Sequence, residues 1–131
     1  MQTAGVAAGG YGEGIGLGGI LGSVGVCVDT FSGTTPNLAT TNVYLNGSVP
    51  QYDSSSPDIS TFPLTNGQRW LLQVNYLAGV MTWAISLPGS TFFRTFNATI
   101  GPIKKYLGDN VGAYWGFTAA VRYECIKRDS G

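Results

Sequence analysis

An all-β fold, a sandwich or a barrel, is predicted for this 131-residue chain by three features. Short runs of alternating apolar and polar residues recur along it. Clusters of Gly, Pro, Asn and Ser separate them. Residues 69–87 have the form of a β-hairpin, and only one short stretch could be helical.

The elements follow in order. Residues 1–22 are glycine-rich and favour neither a regular helix nor a central strand, so they read as an arm or loop leading into a single domain, 1–131. Residues 23–31, SVGVCVDTF, predict a strand with Val24, Val26 and Val28 on one face and Gly25, Cys27 and Asp29 on the other. A turn-rich loop over 32–41 precedes a short strand, NVYLN (42–46), which stops at Gly47. Residues 47–67 form a polar connection broken by Pro50, Pro57 and Pro63. The strongest pair comes next: RWLLQVNYL (69–77) and VMTWAISL (80–87) flank Ala78-Gly79. Aromatic and β-branched residues on both arms, with a tight Gly-containing turn, predict a hairpin. Trp70, Leu72, Val74 and Tyr76 share one of its faces. Residues 91–98 predict a further strand, 103–109 a helical turn, and 112–120 with 121–127 two strands or one long bent strand. Trp70, Trp83 and Trp115 are expected in the core or between sheets. The total is roughly seven short strands, with no internal repeat and no linker dividing the chain.

Composition narrows the function. Charged residues make up only 11% of the chain, and seven basic residues cancel seven acidic ones. No basic field is available for a nucleic-acid backbone or for anionic lipid. No apolar run reaches membrane-spanning length, and MQTAGVAAGG has neither the basic start nor the apolar centre of a signal peptide. A weakly charged surface of Ser, Thr, Asn, Gly and Tyr suits packed assemblies, glycosylated surfaces and sugar-binding sites.

The chemistry-bearing residues are few. The chain has no histidine, which rules out Ser-His-Asp and Cys-His catalysis. Its acidic residues are Glu13, Asp29, Asp53, Asp58, Asp109, Glu124 and Asp129, and no two form a closely spaced pair on one strand. GYGEGIGLGG lacks the lysine of a phosphate-binding loop and has no strand before it. The expectation is a non-enzyme. Cys27 and Cys125 could form one disulfide or remain two buried thiols. Asn46-Gly47-Ser48 and Asn97-Ala98-Thr99 are glycosylation sequons, used only in a secreted eukaryotic setting.

Four segments, taken in order, carry a resemblance: GLGGILGSVGVCVDTF, NVYLNGS, LTNGQRWLLQVNYLAGVMTWAISL and YLGDNVGAYWGFTAA. They resemble an L-type (legume-type) lectin domain over roughly residues 12–120. The resemblance implies a two-sheet antiparallel jelly-roll sandwich of the concanavalin A-like type, reduced in size, that binds glycans at one rim. By family position, the implied sugar contacts are the backbone N–H groups of Gly18 and Gly19, stacking on Phe31, Gly33 and Asn37 in the loop, and Arg122 and Tyr123 after GFTAA.

The departures from the family are as informative. Its acidic-x-acidic pair holds a transition metal and Ca²⁺. Here the first acidic position is Cys27 and the second Asp29, the aromatic is Phe31, and the remaining ligand positions fall at Gly33, Asn37 and Asn42. Asp29, Asn37 and Asn42 alone make a poor calcium site, because carboxylates supply most of the charge such a site needs. Asp29 is the better candidate for a loop cap, accepting backbone N–H bonds from residues 31–33. The strands that precede the glycine-rich loop in the family also have no counterpart in this chain. Three alternatives follow: the fold is a reduced sandwich with an open edge, the N-terminal arm supplies the missing strand, or a neighbouring chain supplies it by strand addition.

Two functions are expected from these residues. The first is a glycan-binding module with no firm need for a cofactor. The second is a structural subunit of an extracellular fibre, surface layer or virus particle that keeps the sandwich and pairs with copies of itself. Either one places the protein outside the cell, on a cell surface or on a virion.

Overall fold

The computed structural model describes residues 1, 17–30, 39–48, 56–108 and 112–117. Five strands and one helical turn make up its regular structure: β1 (Val24–Asp29), β2 (Thr40–Leu45), β3 (Leu71–Leu77), β4 (Val80–Ser86), β5 (Phe93–Thr99) and α1 (Lys104–Leu107). They form two antiparallel sheets, β1-β2 and β3-β4-β5. The all-β expectation therefore holds for the described residues, as do the hairpin and the single helical turn.

Period-2 alternation builds both sheets. In the smaller one, Val24, Val26, Val28, Val43 and Leu45 face the other sheet and join its core. In the larger one, Met81, Trp83 and Ile85 of β4 are almost fully buried, with Phe96 of β5 beside them. Trp83 and Phe96 stack with ring centroids 5.6 Å apart. The hairpin turns at Ala78 (φ +50°) and Gly79 (φ +83°). Two successive positive φ angles in a two-residue loop match the twist of the flanking strands. Gly79 has a second reason to be glycine. A Cβ there would stand 3.3 Å from the Gly101 backbone, which returns past the turn, and Ile100 and Gly101 both donate to the Gly79 carbonyl.

Some expectations change. Residues 47–67 were expected to be a polar connection, yet Ile59 is wholly buried in the shared core. Asp58 bridges Thr40 at the outer edge of β2, and Ile59 N–H donates to Ala39 carbonyl at 2.8 Å. Isolated apolar residues in a proline-broken segment carry no period, so this one could not be placed from spacing. Residues 112–117 form no extended strand. Trp115 is 77% exposed and Phe117 92%, the two rings meeting edge-on at 6.4 Å. Trp115 is therefore not core, because no described sheet lies over it. Residues 118–127, the rest of that expected strand pair, lie outside the described residues, as do most of the arm (2–16) and the loop 31–38.

Candidate functional site

The end of β1 is where the sequence points first. Asp29 closes the strand, opposite Thr40 of β2, and Asp58 bridges Thr40 from the far side. Two strand spacings separate the two carboxylate-bearing positions, about 10 Å. Asp58 accepts the Ser60 N–H at 2.8 Å, and Ser60 holds its carboxyl below the usual range. Asn42 lies on the same face as Asp29, opposite Cys27. Its side-chain oxygen accepts the Val43 N–H, and its amide nitrogen donates to Ser56 Oγ at 3.3 Å. Asn42 thus ties the strand to the 56–60 segment. Among the described residues no three His, Cys, Asp or Glu side chains gather as metal ligands. Asn37, the third candidate ligand, lies outside the described residues, as do residues 31–33, which Asp29 was expected to cap.

The glycine corner sits at the opposite end of β1. Gly18 is buried, and the Gly19 N–H donates to Gly47 carbonyl at 2.8 Å. Gly22 N–H donates to the side-chain oxygen of Asn46. This corner therefore fastens the lead-in to the β2 turn. Gly47 (φ +74°) fits because a Cβ there would meet the backbone of Gly19 and Ile20 at 3.0 Å. The five residue steps from Val24 to Asp29 span about 16 Å, so the structure does not bring Gly18 and Gly19 to the Asp29 end. Phe31, Gly33, Arg122 and Tyr123 lie outside the described residues. Of the sequon asparagines, Asn97 is exposed on β5, and Asn46 is exposed in the turn after β2.

Cys27 lies on the outer face of β1, buried, with a free thiol. Burial, and then the neighbouring Asp29 charge, push its pKa up to about 12. A thiol held protonated is neither a nucleophile nor a metal ligand. Its possible disulfide partner, Cys125, is outside the described residues.

One polar chain between the sheets was not foreseen. Trp83 Nε1 donates to Thr41 Oγ1 at 2.9 Å, and Thr41 Oγ1 donates to Cys27 carbonyl at 2.7 Å. This buried relay fixes how the small sheet sits on the large one. The only signal for it was a Thr on the valine-lined face of β2.

The second unforeseen feature is β3. Leu71, Leu72, Val74 and Leu77 are all exposed, at 39–79%, although they alternate between the two faces. Among the described residues β3 pairs with β4 alone, so its other side is an open edge. Natural edges usually carry a charge, a proline or a bulge that discourages pairing. LLQVNYL has none of them. The outer face of this sheet is Gln73, Asn75, Thr82, Ala84, Ser86, Thr95, Asn97 and Thr99, with Leu71, Leu77, Val80 and Phe93 around it and no charge at all.

The chain matches no known protein family, no curated protein and no solved structure.

Proposed function

We propose that this protein is a non-enzymatic structural subunit that joins other chains through a sheet edge. The observation that carries the reading is β3: among the described residues it is an unprotected open edge, with exposed apolar side chains on both faces, in a chain of zero net charge. Exposing several large aliphatic side chains along one strand is costly in water unless another chain covers them. The chemistry around Asp29 supports the same reading. Its neighbour Cys27 is a protonated thiol, and Asn42 is engaged in holding its own segment. Taken this way, the two packed sheets are a reduced jelly-roll sandwich used as a building block. Its place is outside the cell, in a fibre, a surface layer or a particle.

Sedimentation velocity over a hundredfold concentration range tests the reading. Association that grows with concentration is expected. A monomer throughout would overturn it. A glycan array run with and without Ca²⁺ tests the lectin alternative: chelation-sensitive binding to a defined sugar would return the function to carbohydrate recognition.

A further inference from the structure

We propose that β3 pairs antiparallel with β3 of a second copy, across a twofold axis at Val74. This rests on the assembly reading and names its partner and register.

The backbone directions follow from the hairpin. A two-residue turn makes Leu77 and Val80 a hydrogen-bonded pair, so Leu71, Gln73, Asn75 and Leu77 direct their backbone groups to β4. The far side of β4 agrees. Gly79 carbonyl receives Ile100 N–H, and Leu87 N–H reaches Phe92 carbonyl, so the odd-numbered residues of β4 face β5. The N–H and C=O groups of Leu72, Val74 and Tyr76 therefore point outward, at the open edge.

The strand is also palindromic in chemical class. With Val74 opposite Val74 of the second copy, Leu72 meets Tyr76, Gln73 meets Asn75 and Leu71 meets Leu77. Apolar residues pair with apolar ones, an amide pairs with an amide, and no charge is opposed. Val74 and the Leu72–Tyr76 pairs are the hydrogen-bonded positions, matching the outward groups derived above. Gln73 and Asn75 occupy the non-hydrogen-bonded positions, where side chains come closest. Shifting the register by two residues keeps the hydrogen bonds but sets Gln73 against Leu77, or Leu71 against Asn75. The Val74 register is also the longest, and it is isologous, as a closed dimer requires. Two three-stranded sheets become one of six. The other edge strand, β5, lacks this symmetry: about its centre at Phe96 it would set Phe93 against Thr99 and Arg94 against Ala98.

The test uses the full chain in a Cys27→Ala, Cys125→Ser background. Gln73→Cys and Asn75→Cys are made separately, then oxidised alone and mixed. In the proposed register the Cα atoms of 73 and 75 of the two copies lie about 4.5 Å apart, within disulfide reach. Two copies of position 73 are diagonal neighbours at about 7–8 Å. Covalent dimer should form in the mixture at least about tenfold faster than in either variant alone. Equal rates would overturn the register. Val74→Lys in the wild-type chain places two ammonium groups at the axis. It should raise the concentration needed for dimerisation at least about tenfold while circular dichroism stays unchanged. Association that persists undiminished in Val74→Lys would overturn this inference and leave the assembly reading standing. A monomeric wild-type chain would overturn both.

Discussion

β3 and β4 are the two arms of one hairpin, similar in length and rich in apolar residues, yet they have opposite fates. β4 lies between two strands and under the small sheet, so Met81, Trp83 and Ile85 are sealed. β3 lies at an edge. Its core-facing Leu72 and Val74 extend the same apolar face as Trp83 and Ile85 and remain 39% and 49% exposed. The difference lies in position within the sheet and not in residue type. Apolar content gives a strand the capacity to be buried, and neighbours decide whether that capacity is used within the chain or between chains.

Truncating each arm gives the largest contrast. Trp83→Ala should cost about 3–5 kcal/mol in urea unfolding, through lost burial and a cavity, whereas Val74→Ala should cost less than about 1 kcal/mol in the monomer. Equal costs would mean that β3 is covered within its own chain. Thr41→Val tests the relay that seats the small sheet over β4. It leaves the Trp83 N–H and the Cys27 carbonyl without the hydroxyl between them, and should cost about 1–3 kcal/mol. If the cost is negligible, the sheets are held by apolar packing alone.

Cys27 tests the sealing of the small sheet's outer face by pH. Its folded pKa of about 12 stands above the ordinary 9.0, so the unfolded thiol ionises first. The folded state then holds more protons than the unfolded one. The stability from this group is full below pH 9 and falls as pH rises from 9 toward 12. The loss should be absent in Cys27→Ala, and a thiol reagent at pH 8 should label Cys27 only on unfolding. Rapid labelling of the folded chain would show that this face is open.

Smaller effects concern the hairpin and its entrance. Ala78 holds φ +50°, a conformation that Asn tolerates better, so Ala78→Asn should stabilise by about 0.5–1 kcal/mol in thermal unfolding. A loss instead would mean the turn leaves this geometry in solution. Trp70 stands in an aromatic cluster with Phe62 and Phe92, and its buried indole N–H has no partner among the described residues. Trp70→Phe removes the unpaired donor together with part of the ring, so the net change should stay within about 1 kcal/mol of wild type. Thr41→Val and Trp70→Phe together separate an indole that is satisfied from one that is not.

Much of the fold was legible in the alternation of residues. The faces of β1, the hairpin at Ala78-Gly79 and the turn of helix after Ile103 all follow from period and turn chemistry that act within a few residues. The candidate site was less legible. Gly18 and Gly19, the implied sugar contacts, and Asp29, a candidate metal position, stand at opposite ends of β1, about 16 Å apart along the strand. Ile59 entered the core from a segment with no period, and Trp115 stayed out of it despite its size.

What the sequence determined by itself was therefore local: which residues extend, which turn, and which side of each strand is apolar. It also carries the symmetry of LLQVNYL, which can be read without any coordinates. Only the tertiary structure decided that β3 is an edge, that Trp83 reaches Thr41 across the sheets, and that Cys27 is sealed. Each of these depends on which distant strand lies alongside. Strand order joins residues far apart in the chain, and alternation along one strand carries no information about its neighbours.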